Sequence, residues 1–247
     1  MVRIGIIGYG KMGQLIEEIA IKQGHNVNAI IDPLKGTLIS KESLKDVDVC
    51  IDFSHPSVAI ENIQKISSLG KNIVVGTTGW YDEMDSVKKI VSENNIGLIW
   101  SGNFSLGVNA FFKIIKDSSK IFNKLENYDI LVHEFHHKNK ADSPSGTAKM
   151  IAQRIIENVD RKDKIVTEEL TRKIENNELH VSSTRGGSIP GTHIVLFDSD
   201  EDTIELKHTA RGRVGFAVGA VKAAEFLSGK KGFFSIDDLM KEFFGDD

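Results

Sequence analysis

Two stretches of this 247-residue chain hold residue types at spacings that can do chemistry. The first, Gly8-Tyr9-Gly10-Lys11-Met12-Gly13, follows an apolar run and opens an amphipathic one. A first glycine permits a tight turn, a second lets backbone approach a pyrophosphate, and a third lets helix and strand pack closely. Amides at the helix N-terminus then face the anion. Lys11 and Met12 join Gly8, Gly10 and Gly13 as candidate cofactor contacts. Asp32 ends the second apolar run, 19 residues after Gly13, where a carboxylate can accept hydrogen bonds from ribose hydroxyls. Strand, loop, helix and acid together point to a dinucleotide. The same carboxylate repels a 2′-phosphate, and Pro33 and Leu34 follow it rather than an arginine, which favours NADH. Lys11 and Lys35 can offset a phosphate, so NADPH stays open.

The second stretch is rich in histidine. His133-Glu134-Phe135-His136-His137 is a literal H-E-x-x-H, which binds zinc only when helical, with both imidazoles one turn apart. Ile130-Leu131-Val132 ahead of it favours a strand, on which residues four apart are separated by roughly 13 Å. The expectation is therefore no metal. The continuation, Lys138-Asn139-Lys140-Ala141-Asp142-Ser143-Pro144-Ser145-Gly146-Thr147-Ala148, carries a helix-start pattern, with proline near the first helical position and serine before it. Ser145, Gly146 and Thr147 would present amides and hydroxyls to an anion. Histidines and a lysine beside them could donate a proton at neutral pH. Strand alternation says only that His136 and His137 face opposite ways if the strand continues, and does not rank them. Arg185-Gly186-Gly187 and Gly191-Thr192-His193 could flank a polar strand connection, and Arg213, at a recrossing point of the chain, suits a carboxylate.

The elements needed to position these groups can be read from the sequence. Val2 to Gly8, Val27 to Asp32, Val47 to Phe53, Ile73 to Thr77 and Gly97 to Trp100 read as strands. Met12 to Lys22, Ser57 to Leu69 and Asp82 to Glu93 read as the helices between them. That alternation predicts an α/β fold with a Rossmann-type doubly wound parallel sheet. Asp52-Phe53-Ser54 and the Gly76-Thr77-Thr78-Gly79 turn fall at strand ends, where such sheets bind ligands. From Gly107 the rhythm changes: a long helix to Leu125, a strand Asp129 to Phe135, a helix Pro144 to Asn158, then runs Leu179 to Ser183, His193 to Phe197 and Thr203 to His208. This predicts a second, α+β domain with an antiparallel or mixed sheet. The tail, Phe216 to Leu227 and Ile236 to Phe244, is expected to be helical. The expected division is 1–106 completed by 214–247, and 107–213.

Composition excludes several classes. A single cysteine, Cys50, permits no intramolecular disulfide and suggests a cytoplasmic setting. A net charge of −4, from 31 basic and 35 acidic residues, gives no global basic excess for nucleic acid. No apolar run approaches the ~20 residues of a bilayer span. Six of eight histidines lie between residues 107 and 213, a region balanced at 17 basic and 17 acidic side chains. A small dicarboxylate is a more suitable partner there than a polyanion.

The chain resembles the dihydrodipicolinate reductase family. Residues 134–148 match the family pattern E-x-H-H-x-x-K-x-D-x-P-S-G-T-A. The Gly8–Gly13 loop, Gly76–Gly79, Asn103-Phe104-Ser105-Leu106-Gly107-Val108-Asn109 and His208-Thr209-Ala210 through Arg213 add support. The first loop glycine lies one residue later than in many members. The resemblance implies a two-domain homotetramer in which NADH or NADPH reduces a cyclic imine dicarboxylate in diaminopimelate and lysine synthesis. It implies His136 as acid/base group and Lys140 as proton donor. His137, Ser145, Gly146 and Thr147 would hold the substrate carboxylates, with Arg213 added as a candidate. Gly76, Thr78 and Phe104 would line the nicotinamide site, with Phe53, Ser101 and Asn103 taken alongside them. The second domain would serve substrate binding and tetramerisation, and closure of the two domains would bring the reactants together. A noncatalytic dinucleotide-sensing module is the alternative.

Overall fold

A computed structural model describes residues 1–32 and 36–245. The expectations placed on Pro33, Leu34 and Lys35 lie outside the described residues. The chain forms two compact units, residues 1–109 with 213–247, and residues 110–212.

The first unit holds a six-stranded parallel sheet. Its strands are β1 (Arg3–Ile7), β2 (Asn26–Ile31), β3 (Val49–Asp52), β4 (Asn72–Val75), β5 (Gly97–Trp100) and β11 (Gly232–Ser235), in the order β11-β5-β4-β3-β1-β2. β3 and β4 are buried along their whole length and β1 beyond its first residue, as sheets covered on both faces require. On one side Ile4, Ile6, Val49 and Ile51 form a core with α1 (Lys11–Lys22), α6 (Val214–Phe226) and α7 (Ile236–Phe244). On the other, Cys50, Ile73 and Leu98 pack with α2 (Ala59–Ser68) and α3 (Met84–Glu93). The strand order reverses between β1 and β3, the crevice where doubly wound sheets bind ligands. The tail is not wholly helical: β11 pairs with β5 from Gly232↔Gly97 to Ser235↔Trp100. Its four residues are too few to show a period before the sheet edge recruits them.

The second unit is built on a mixed sheet. Its strands are β6 (Asp129–His136), β7 (Lys164–Val166), β8 (Glu178–Arg185), β9 (Thr192–Asp198) and β10 (Thr203–Thr209), in the order β10-β9-β6-β8-β7. β6 runs parallel to β8 and antiparallel to β9. Residues 110–123 of α4 (Leu106–Asn123), together with α5 (Gly146–Ile156), supply the helical side of this unit. Phe122 stacks on Phe197 with ring centroids 4.1 Å apart, and Ile151 and Ile155 are fully buried. α5 starts later than the sequence pattern suggests. Ser145, not Ser143, is the cap: its hydroxyl accepts from the Ala148 amide, and the Ser143–Pro144 peptide bond just ahead of it is cis. β7 also escaped the pattern, being three residues long with two of them exposed.

Among the described residues, no helix is long and apolar enough to cross a membrane.

Candidate active site

In the first unit the glycine loop leaves β1 at the sheet's switch point. Gly8 has φ +87°, and a Cβ there would lie 2.7 Å from the Phe53 carbonyl oxygen. A Cβ on Gly13 would overlap the Gly8 carbonyl, so the third glycine is what lets α1 approach β1. Gly10 is the residue ahead of α1, lacks a side-chain cap and has open space on its Cβ side. Backbone amides at a helix N-terminus with such room beside them suit an anion. Lys11 is exposed beside it, while the Met12 side chain packs on the core and leaves only its backbone for a ligand. Asp32 stands half-buried just beyond β2.

The loops after β3 and β4 are ordered by Asp52, which the sequence names only as part of a strand-end stretch. Asp52, fully buried at the end of β3, accepts from the Ser54 amide at 2.9 Å, the Thr77 hydroxyl at 2.8 Å and the Asn62 amide group at 2.9 Å. Of the two threonines in the Gly76–Gly79 turn, Thr77 is therefore consumed internally and Thr78 is the exposed one. A Cβ on Gly76 would overlap the Phe53 ring, which packs flat against that glycine. Phe104 is only 1% exposed and lies in the core, its ring 6.2 Å from the Phe53 ring. It backs Phe53 rather than lining a surface. The Ser101 hydroxyl accepts from the Asn103 amide, and the Asn103 side-chain oxygen accepts from the Ser105 amide, each at 2.9 Å. These two residues shape the turn that leads into α4.

In the second unit the strand period sorts the histidine run. Ile130, Val132, Glu134 and His136 are buried on one face of β6, and His133 lies on the other. His133 and His137 therefore do not form the helical zinc pair. The strand ends at His136, so alternation says nothing of His137, which is half-buried just beyond it.

Glu134 is the hub, with no exposed surface. Oε1 accepts from the Ser145 amide at 2.9 Å, the Ser183 hydroxyl at 2.9 Å and Arg185 Nη2 at 2.8 Å. Oε2 accepts from the Ser145 hydroxyl and lies 3.4 Å from His193 Nε2 and 3.3 Å from His136 Nδ1. Burial alone would raise this carboxyl, yet hydrogen bonds from His193, Ser145 and Arg185 hold it well below the usual carboxylate range. Burial pushes His136 down to about 4 despite the pull of Glu134, so its imidazole is neutral at neutral pH. A Cβ on Gly191 would lie 2.9 Å from His136 Nε2, so that glycine keeps room for the ring.

Lys140 lies in the loop after β6, with Nζ donating to Asp142 Oδ1 at 2.7 Å. That bond holds the Asp142 carboxyl below its ordinary value. Gly146 and Thr147 open α5, with its positive end. Ser145 differs from expectation: its amide and hydroxyl both go to Glu134, so it acts here by capping α5. Arg213 is exposed at the residue ahead of α6.

Glu134, His136 and His193 bring ligand atoms within 4.8 Å of one another. They fit a metal poorly. The carboxylate's oxygens already accept from several donors, and the Arg185 guanidinium at 2.8 Å opposes a dication. The sequence places Arg185 and His193 at a polar strand connection and Glu134 within the motif without a role for any of them, because their partners lie up to 51 positions away. The available signal was the i, i+2 pairing of Glu134 and His136 on a strand.

A glycine cradle at the switch point of a parallel sheet, in a chain that also carries a lysine and a neutral imidazole beside a helix N-terminus, defines a nicotinamide-dependent oxidoreductase. Residues 2–104 match the family model for dihydrodipicolinate reductase, N-terminus, and residues 107–240 that for its C-terminus. The chain belongs to this family. It is 39% identical over 243 residues to a 4-hydroxy-tetrahydrodipicolinate reductase of Christiangramia forsetii, with 98% of each chain covered. It is 34% identical to one of Methanococcus vannielii, covering 97% of this chain and 99% of that one. Its fold matches a dipicolinate-bound dihydrodipicolinate reductase from Paenisporosarcina sp. TG-14 with a TM-score of 0.78 at 24% identity, covering 95% and 97% of the two chains. Nothing in these relatives supports a noncatalytic sensor.

Proposed function

We infer that the chain reduces 4-hydroxy-tetrahydrodipicolinate to tetrahydrodipicolinate in the diaminopimelate route to lysine. The observation that carries this is the 134–148 segment. It sets a neutral buried imidazole, an ion-paired lysine and an open helix N-terminus in one stretch of the second unit.

A bound reduced nicotinamide supplies the hydride. Gly8, Gly10 and Gly13 make room for the pyrophosphate, and the first-turn amides at Lys11 and Met12 meet its charge. Phe53, Gly76, Thr78 and the turn at Ser101 and Asn103 form the nicotinamide end. Asp32 takes the ribose hydroxyls and favours NADH, while Lys11 tempers the repulsion of a 2′-phosphate enough for NADPH to serve as well.

On the substrate side, the amides of Gly146 and Thr147 and the Thr147 hydroxyl accept a carboxylate at the positive end of α5, which Ser145 caps. His137 completes the carboxylate site within the second unit. His136, neutral at working pH, is free to take up a proton but has no cationic one to give. Once loss of the 4-hydroxyl as water has formed the conjugated ring, hydride adds to one ring carbon, and the Lys140 ammonium is therefore the donor to the carbon beside it.

The second face of the mixed sheet carries Leu131, His133, Phe135, Ile194 and Leu196, of which Leu131 is 37% exposed. This face supports assembly of a homotetramer through the second unit. The single cysteine, buried, suits a cytoplasmic enzyme.

Lys140→Ala tests the proton donor. Turnover is expected to fall by ~10²–10⁴-fold with NADH affinity nearly intact, as loss of a general acid would give. An unchanged rate would remove Lys140 from the reaction.

A further inference from the structure

The loop that carries Lys140 has few anchors of its own, because Lys138, Asn139, Ala141, Asp142 and Ser143 are all exposed. Its outside tether comes from β8. Arg185 Nη2 donates to Glu134 Oε1 at 2.8 Å and to the Asp142 carbonyl oxygen at 2.6 Å. The same Asp142 accepts from Lys140 Nζ through its carboxylate. One guanidinium thus joins a buried carboxylate on β6 to the backbone of the residue that holds the lysine.

The register makes this hold stiff. His136 and Arg185 are paired positions on the parallel strands β6 and β8, and the Gly186 amide donates to the His136 carbonyl at 3.0 Å. The Arg185 side chain is 18% exposed: its bond to Glu134 is partly buried and its bond to Asp142 lies at the surface. Guanidinium is the appropriate group, since its planar fork of fixed donors can serve a carboxylate and a carbonyl together.

We propose that Arg185 is a positioning residue of the reaction: clamped by Glu134, it fixes the Asp142 backbone and so sets where the Lys140 ammonium delivers its proton. This rests on the reading of Lys140 as the donor. Arg185 acts through Lys140, and its contribution therefore depends on Lys140 being present.

A double-mutant cycle tests this. Arg185→Ala and Arg185→Lys are each made in the natural chain and in Lys140→Ala. Arg185→Lys keeps a cation beside Glu134 should the alanine variant fail to fold. In the natural background kcat is expected to fall by roughly 10–100-fold, in line with the cost of misplacing a reacting group, with the KM for NADH unchanged. In the Lys140→Ala background the same changes are expected to lower kcat by less than about threefold, because the two losses share one cause. Equal fold-losses in both backgrounds would overturn the proposal and leave Arg185 a general structural residue, and so would an unchanged kcat in Arg185→Lys. If Lys140→Ala alone kept its rate, the reading of Lys140 would fail instead.

Discussion

Each unit of the molecule buries one carboxylate at the C-terminal end of a strand and hangs a functional loop on it, but the two are satisfied differently. Asp52 is met by a backbone amide, a hydroxyl and a side-chain amide. Glu134 is met by a backbone amide and two hydroxyls, and also by a guanidinium, with two imidazoles within 3.4 Å. The difference follows from what each loop must do. Around Asp52 the loops need only a fixed backbone to receive a cofactor, and neutral hydrogen bonds supply that. Around Glu134 the loop must hold a lysine and a neutral histidine in place, and fixed charge beside them governs where protons sit.

The largest test of this contrast is stability. Glu134→Ala would leave Arg185 buried without its counter-ion, and a loss of about 3–5 kcal/mol is expected. Asp52→Ala leaves neutral donors unpaired, at a cost of about 1–3 kcal/mol. Denaturant unfolding of both variants checks the order. Equal losses would mean that the charge around Glu134 adds nothing to its hold.

A finer test uses two glycines that each make room for a ring, Gly76 for Phe53 and Gly191 for His136. Gly76→Ala should raise the KM for NADH several-fold and spare kcat, since the displaced ring belongs to the cofactor side. Gly191→Ala, at φ +155° and against the imidazole, should lower kcat and spare the KM for NADH. Steady-state kinetics read both, and a shared pattern would erase the division of labour.

The sequence made the Gly8–Gly13 cradle legible because its chemistry is local: turn, approach and packing are set within six residues. The places of the main strands along the chain were legible for a similar reason, as short apolar runs alternate with amphipathic ones. Arg185 was not, because its importance arises when parallel pairing of β6 with β8 brings it beside Glu134, and no local period encodes that register. Phe104 looked like a lining group, but the packing of α6 against it, with Gly219 close to its carbonyl, places it in the core. The edge strands β7 and β11 were invisible because three or four residues adopt strand structure only when a neighbour offers its free edge.

The central claim is that this chain couples nicotinamide oxidation to reduction of one cyclic dicarboxylate. It is tested most directly by following nicotinamide absorbance while the unstable substrate is generated in place, with NADH and NADPH compared. Steady oxidation that begins only when the substrate is supplied, and that a planar pyridine dicarboxylate slows by competition, is the predicted result. No oxidation of either cofactor, or oxidation at the same rate without substrate, would contradict it.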